Sequence, residues 1–335
     1  MDAEVRSDDL DRGHFAGGGG MMTGVGEIPA GSRPDLLEIS DLIVDFDIET
    51  MSRRPVNRDE VVERLRMVGD RPAARIVAGM PANDGVLDPD AVDRLLIRVH
   101  CEMQRLSEEF QHGRRVFEFL ASLLAALDQA GVPPPYRIVD IGCGTGYVIR
   151  WLSALADFSQ EVELIGVDFN EALVREAQRL SAAEQLDCRF EVINAFKMAR
   201  PATVYLSTGV LHHFRGDGLD DFLLQHDQPD TQAFVHYDFQ PTPLARPGAW
   251  AFHYIRMREP LSRHDGVVSA RRAHDADTLL KSARRTSFAC GMYGTRVWRL
   301  PIPRVFHTLL GVRPDVIDAF RQTLGRRVGR LGPLA

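Results

Sequence analysis

Two stretches of the chain carry side chains whose types and spacing could do chemistry. The first is Asp140-Ile141-Gly142-Cys143-Gly144-Thr145-Gly146, and the second is Ser207–Phe214, STGVLHHF, where His212 and His213 end an apolar run. Glycines at alternate positions let a backbone turn tightly and approach a ligand where any side chain would collide. A dinucleotide loop prefers G-x-G-x-x-G, with the pyrophosphate at the following helix N-terminus. Here the spacing is G-x-G-x-G, and the bulky Tyr147 follows. Asp140, directly before the glycines, would repel a pyrophosphate and suits a ligand that carries an ammonium group. Asp168 ends the next apolar segment, ELIGVDF, where a carboxylate can accept both hydroxyl protons of a ribose. Asn194-Ala195 ends a third such segment, where an amide can read an adenine edge.

For the histidine pair, metal ligation is set aside. Adjacent residues rarely ligate one ion, and no Cys, His or carboxylate cluster in the sequence completes a site, so no metal is expected. A histidine can accept a proton from an activated hydroxyl, amine or carbon acid near neutral pH. It does so better when a carboxylate orients the ring, and Asp238, at the end of VHYDF, is the candidate partner of His212. His236 lies two residues earlier on the same strand face. The bland reading is that one imidazole packs under a sheet and bonds a backbone carbonyl. Asp238 tilts the proton-acceptor role to His212 and leaves His213 the structural one.

The elements that must position these groups follow from the surrounding pattern. Residues 1–34, with a GGGG run and no apolar periodicity, read as a flexible tail. Residues 35–133 carry apolar positions at spacings of three and four, as in RDEVVERLRMVG, and predict an N-terminal helical cap without strands. LDPDAVDRLLIRVHCEMQRLSEEF begins with Asp-Pro, a capping pair, and GRRVFEFLASLLAALDQAG ends at glycine. After three prolines the rhythm changes. YRIVDIG, VELIGVD, CRFEVIN, ATVYLS and QAFVHYDF predict strands, alternating at first with helices such as EALVREAQRLSAAE. That alternation predicts an α/β, doubly wound, mostly parallel sheet over residues 134–335. SFACGMY and RVWRL, joined at Gly-Thr, predict an antiparallel hairpin at its edge.

VDIGCGTG, GVDFN, INAF and STGVLHHF, in this order, resemble the class I S-adenosylmethionine-dependent methyltransferases, over roughly Tyr136 to Leu300. The resemblance implies a Rossmann-like sheet of seven strands with a reversed last hairpin. It implies S-adenosylmethionine as cofactor and S-adenosylhomocysteine as product. It assigns cofactor contacts to Asp140, Gly142, Gly144, Gly146, Asp168, Phe169, Asn194, Ala195 and Thr208; the family's usual Asp is replaced by Asn194. Strands four and five should end beside the transferred methyl, which places His212, Asp238 and His213 there. Methyl transfer rests largely on alignment, so a dedicated base is not required. His112, His253, Tyr254, Arg258 and His264 are candidate substrate contacts. Helices in the place of EMQRLSEEFQHGRRVFEFL cover the cofactor in the family, which adds Glu108, Arg114 and Arg115.

Composition bounds the function. With 44% apolar and 26% charged residues the chain reads as an ordinary globular protein, and a formal charge of −7 argues against a nucleic-acid surface. The apolar runs are far shorter than the roughly 20 residues of a membrane span. Four scattered cysteines, in no zinc spacing, point to a reduced, cytoplasmic setting. Lysine occurs only at Lys197 and Lys281 against abundant arginine, the mark of a G+C-rich bacterial genome. The expected protein is a monomeric or homodimeric methyltransferase that modifies O, N or C of a small, partly apolar specialised metabolite. The rivals are a cofactor-binding regulator without catalysis, a nucleic-acid methyltransferase, and a nicotinamide oxidoreductase.

Overall fold

In the computed structural model, residues 36–47, 49–198, 200–294 and 305–334 are described. The tail reading of residues 1–34 lies outside them. The chain enters through a short helix, α1 (Ile39–Leu42), and the helices α2 (Arg58–Met67), α3 (Arg71–Ala78) and α4 (Pro89–Glu109) follow. Their starts obey local rules. Asn57 accepts from the backbone N–H of Asp59 and Glu60, Asp70 from Ala73, and Asp88 from Ala91, with Pro89 opening α4. Two short antiparallel ribbons interrupt them, Asp45–Phe46 with Arg53–Arg54 and Ala82–Asn83 with Val86–Leu87. Strands of two residues are too short to leave an alternating pattern, so a reading by periodicity misses them.

The helix α5 (His112–Gln129) leads into β1 (Tyr136–Ile141), and α6 (Tyr147–Leu155), β2 (Val162–Asp168), α7 (Glu171–Ala183), β3 (Arg189–Val192) and β4 (Val204–Thr208) come next. Then follow α8 (Asp217–Leu224), β5 (Ala233–Phe239), α9 (Ala245–Arg256), α10 (Pro260–Arg272), α11 (Ala276–Ala283), β6 (Ala289–Gly294), β7 (Phe306–Val312) and α12 (Ile317–Leu324). The seven strands form one sheet in the order β6-β7-β5-β4-β1-β2-β3. β1 to β5 pair in parallel, and β7 runs antiparallel to both β5 and β6. Every residue of β1, β5 and β7 is buried, as a sheet covered on both faces requires. The antiparallel partner of β6 is Phe306–Val312; RVWRL falls within residues outside the described ones.

Two of the apolar cores show which helices belong to the cap. The buried face of α5 packs with β1, β4 and β5, so this helix is part of the sheet's own core. The other core joins α2, α3 and α4 with Leu173 of α7 and Leu261 of α10. This cap is tied down by polar contacts as well. Asp265 of α10 accepts the backbone N–H of Ile39 and Ser40 at the start of α1. Glu102 of α4, 6% exposed, accepts the N–H groups of Arg258 and Glu259 at the start of α10. His264 bridges Asp70 (Nε2 to Oδ2, 2.8 Å) and Asp265 (Nδ1 to Oδ1, 2.7 Å).

Burial alone would lower the pKa of His264, yet the hydrogen bonds and charges of Asp265 and Asp70 hold it at about 9. A folded-state pKa above the free value of about 6.5 means that the folded chain binds this proton more tightly than the unfolded one. The bridge therefore contributes fully below pH 6.5, and its contribution is lost as pH rises through about 9. The loss amounts to about 3 kcal/mol across that window. His264→Gln should flatten the fall in melting temperature over the same range; a fall parallel to that of the wild type would show that the bridge does not hold the cap.

Candidate active site

The loop between β1 and α6 turns through three glycines in the left-handed region, Gly142 (φ 68°), Gly144 (φ 55°) and Gly146 (φ 75°). The N–H groups of Gly142 and Cys143 donate to Val167 O, which ties the loop to the end of β2. A Cβ on Gly142 would lie 2.8 Å from Val210, and one on Gly144 would lie 2.5 Å from the ring of His100, so both positions admit nothing larger. Gly146 serves packing: its Cβ would meet Phe190 at 2.3 Å.

Two carboxylates are buried beside this loop. Asp168 takes the N–H of Gly144 on Oδ2 and that of Asn170 on Oδ1, each at 2.9 Å. Each oxygen keeps a lone pair for a further donor. Asp140 is 1% exposed, and its Oδ1 has no hydrogen-bond partner among the described residues. Burial and the charge of Asp168 push the Asp140 pKa well above the usual carboxylate range. Burial also raises Asp168, against the pull of its backbone donors and of His100. Two carboxyls in this condition form a place that a cation would relieve.

His100 of α4 went unnoticed in the sequence. Its Nδ1 donates to Leu96 O at 2.9 Å, and its other ring edge faces Gly144. The one available signal was a histidine in an apolar helical stripe, one turn after Leu96. Other predicted cofactor residues lie nearby in the chain's strand ends. Phe169 follows β2 and meets Phe46 edge-on at 5.3 Å. Asn194 and Ala195 follow β3, and Asn194 Oδ1 accepts from Phe196 N. Thr208 closes β4.

Beyond Thr208 the chain makes a single 3-10 turn, Leu211–His213. Asp238 holds His212 twice: Oδ2 accepts its backbone N–H at 2.8 Å, and Oδ1 accepts ring Nδ1–H at 2.9 Å. Burial would raise the Asp238 pKa, but His212 and the N–H of Phe239 pull it well below the carboxylate range. An ionised Asp238 only accepts hydrogen bonds, so Nδ1 carries the proton and Nε2 presents its lone pair. His213 points to another pair of carboxylates, with Nδ1 3.2 Å from Asp41 and 3.6 Å from Glu38. Burial would lower its pKa, but Glu38 and Asp41 hold it at about 9. Arg272 of α10 spans the group, donating to His212 O and His213 O at 3.1 Å and to Asp41 at 2.8 Å. Glu38, Asp41 and Arg272 have no sequence signal, since α1 and α10 meet the β4 end only in the folded chain. His236 lies elsewhere, fully buried with Nδ1 2.9 Å from Ser207 Oγ.

His112, at the start of α5, sits among aromatic rings, edge-on to Tyr237 at 4.9 Å and to Phe306 at 5.0 Å. It is 5% exposed, neither ring nitrogen has a hydrogen-bond partner among the described residues, and burial lowers its pKa to about 3. The remaining predicted substrate contacts are engaged otherwise. His253 packs flat on α10, so close that a Cβ on Gly266 would lie 2.0 Å from its ring. Tyr254 is 60% exposed beneath Arg263, Arg258 is exposed, and His264 is the cap bridge. Glu108 accepts from Gln104, Arg114 from α5 pairs with Glu118, and Arg115 donates to Phe110 O.

A family model described as a methyltransferase domain matches residues 138–226. No curated protein matches the sequence. Among solved structures, magnesium protoporphyrin IX methyltransferase (ChlM) from Synechocystis PCC 6803, with bound SAH, is similar at 17% identity. That similarity covers 76% of this chain and 99% of ChlM, with a TM-score of 0.41. The plantazolicin methyltransferase BpumL, in complex with SAH, is similar at 13% identity over 76% of this chain and 99% of its own, with a TM-score of 0.47. The residues matched by the family model run from β1 to the end of α8 and include the glycine loop, Asp168 and both histidines. These residues are similar to a methyltransferase domain, and they lie in a seven-stranded sheet with one reversed strand.

Proposed function

We propose that the protein is a cytoplasmic bacterial S-adenosylmethionine-dependent methyltransferase. Its acceptor is the O, N or C atom of a small, partly apolar specialised metabolite. The observation that carries the cofactor is Asp140 Oδ1, without a partner among the described residues and buried with Asp168 against a loop of left-handed glycines. A ligand with an ammonium group and a ribose matches this donor set: Asp140 and the glycine backbone hold the amino-acid end, and Asp168 takes the ribose hydroxyls. Gly142, Gly144 and Gly146 keep side chains out of the cradle, and His100 covers it from the cap. Bound there, the cofactor supplies an electrophilic methyl on a positively charged sulfur.

Asp238 orients the ring of His212, and Nε2 receives the proton that an O–H, N–H or acidic C–H acceptor loses as it gains the methyl. Asp238 then stabilises the imidazolium and stays ionised itself. The aromatic surround of His112 supports a partly apolar acceptor, and its ring nitrogens, without partners among the described residues, offer a polar contact for it. His100 of α4 lies over the glycine loop, which supports a small, enclosed substrate over a macromolecule.

Asp168→Ala should abolish S-adenosylmethionine binding in calorimetry; near-wild-type affinity would sink its ribose role. His212→Ala should lower turnover by about 100-fold or more with cofactor affinity unchanged. Asp238→Asn should lower turnover comparably, and the double variant no further, because the two residues act as one unit. A turnover unchanged by His212→Ala would leave the imidazole without a chemical role. The acceptor itself is sought as a metabolite that gains the mass of one methylene only when enzyme and S-adenosylmethionine are both present; cofactor binding without such a gain from any acceptor would favour a regulator.

A further inference from the structure

The group at the end of β4 contains more than a proton acceptor needs. Glu38 Oε1 lies 3.7 Å from Nε2 of His212, and Glu38 Oε2 lies 3.6 Å from Nδ1 of His213. One donor atom from each of the three residues lies within 4.8 Å of the others. We infer that Glu38, His212 and His213 form a binding site for a divalent cation of the zinc type.

Ligands about 2.0–2.2 Å from a tetrahedral zinc stand roughly 3.3–3.5 Å apart, so side-chain shifts of about an ångström close a set whose donor atoms already lie within 4.8 Å of one another. The adjacency of the histidines is no obstacle here. The 3-10 turn tilts their rings by 32° at a centroid distance of 4.4 Å, and they offer different atoms, Nε2 and Nδ1. The surroundings are those of a supported metal ligand. Asp238 fixes the tautomer of His212 and aims Nε2 at Glu38, the carboxylate–histidine arrangement that orients metal-bound imidazoles. Arg272 clamps the carbonyls of both histidines, and its guanidinium pairs more closely with Asp41 (2.8 Å) than with Glu38 (3.4 Å). Asp41 Oδ1 lies 3.2 Å from His213 Nδ1 and adds its charge beside the set. With both imidazoles neutral, as metal ligands must be, the group counts three carboxylates (Glu38, Asp41 and Asp238) against one guanidinium, a surplus of negative charge that a dication offsets. Two nitrogen donors select zinc, cobalt or iron over magnesium and calcium. The ion takes the same Nε2 lone pair that the proton would, so occupancy and proton transfer exclude each other.

The test is a titration of the chelator-treated full-length protein with Co²⁺ alone. One equivalent should bring up the intense visible absorption of a four-coordinate site, and Zn²⁺ should displace it. Glu38→Gln and His213→Ala, each checked for retained S-adenosylmethionine binding, should weaken Co²⁺ binding at least tenfold. Absence of a stoichiometric visible band, or a band unchanged in both variants, would overturn the site. This is separable from the proton-acceptor reading. If Co²⁺ binds and turnover is undiminished, that reading fails and the site stands; if Co²⁺ does not bind and His212→Ala still slows turnover, the site fails and that reading stands.

Discussion

Burying charge without partners is costly, and removing one member of a buried pair costs about 3–5 kcal/mol. The ends of β4 and β5 are built around that constraint. Asp238, 3% exposed, is satisfied by the backbone and ring of His212 and by the N–H of Phe239. Glu38, 2% exposed, meets Ser269, Arg272 and both histidines. These partners come from α1, the turn after β4, β5 and α10. Each element is held by the charges of the others, so the start of the described chain and the centre of the sheet are one structural unit.

The cap is held the same way. Its apolar core is shared with α7 and α10, and its polar ties, Glu102 to the start of α10 and His264 to Asp70, lie across that seam. α10 is thus the keystone between cap and sheet: it caps α1 through Asp265, bridges α3 through His264 and clamps the histidine turn through Arg272. Its richness in His and Arg, read in the sequence as substrate chemistry, is largely the chemistry of this docking. The glycine loop shows the complementary case. There Asp140 is buried with no partner on Oδ1 among the described residues, and the unmet cost is what a bound cation would relieve.

Local rules carried much of the fold. Asn57, Asp70 and Asp88 start their helices as capping residues do, and the switch from helical to strand rhythm after Pro133-Pro134-Pro135 marks where the sheet begins. The two-residue ribbons of the cap were invisible because no period fits in two residues. The last hairpin was legible as an antiparallel edge, but its second described strand is Phe306–Val312, whose uniform burial hides any alternation.

By itself the sequence determined the α/β sheet, the glycine loop with its two acids, and the pairing of His212 with Asp238, because each follows from neighbours within one element or from the ends of adjacent strands. Tertiary structure alone decided that His100 lies over Gly144, that His253 is packing and His264 a bridge, and that Glu38, Asp41 and Arg272 surround the histidines. Those contacts join residues far apart in the chain across the packing of α1, α4 and α10. Packing angles between helices leave no periodic trace in a sequence, so only the folded chain could bring these charges together.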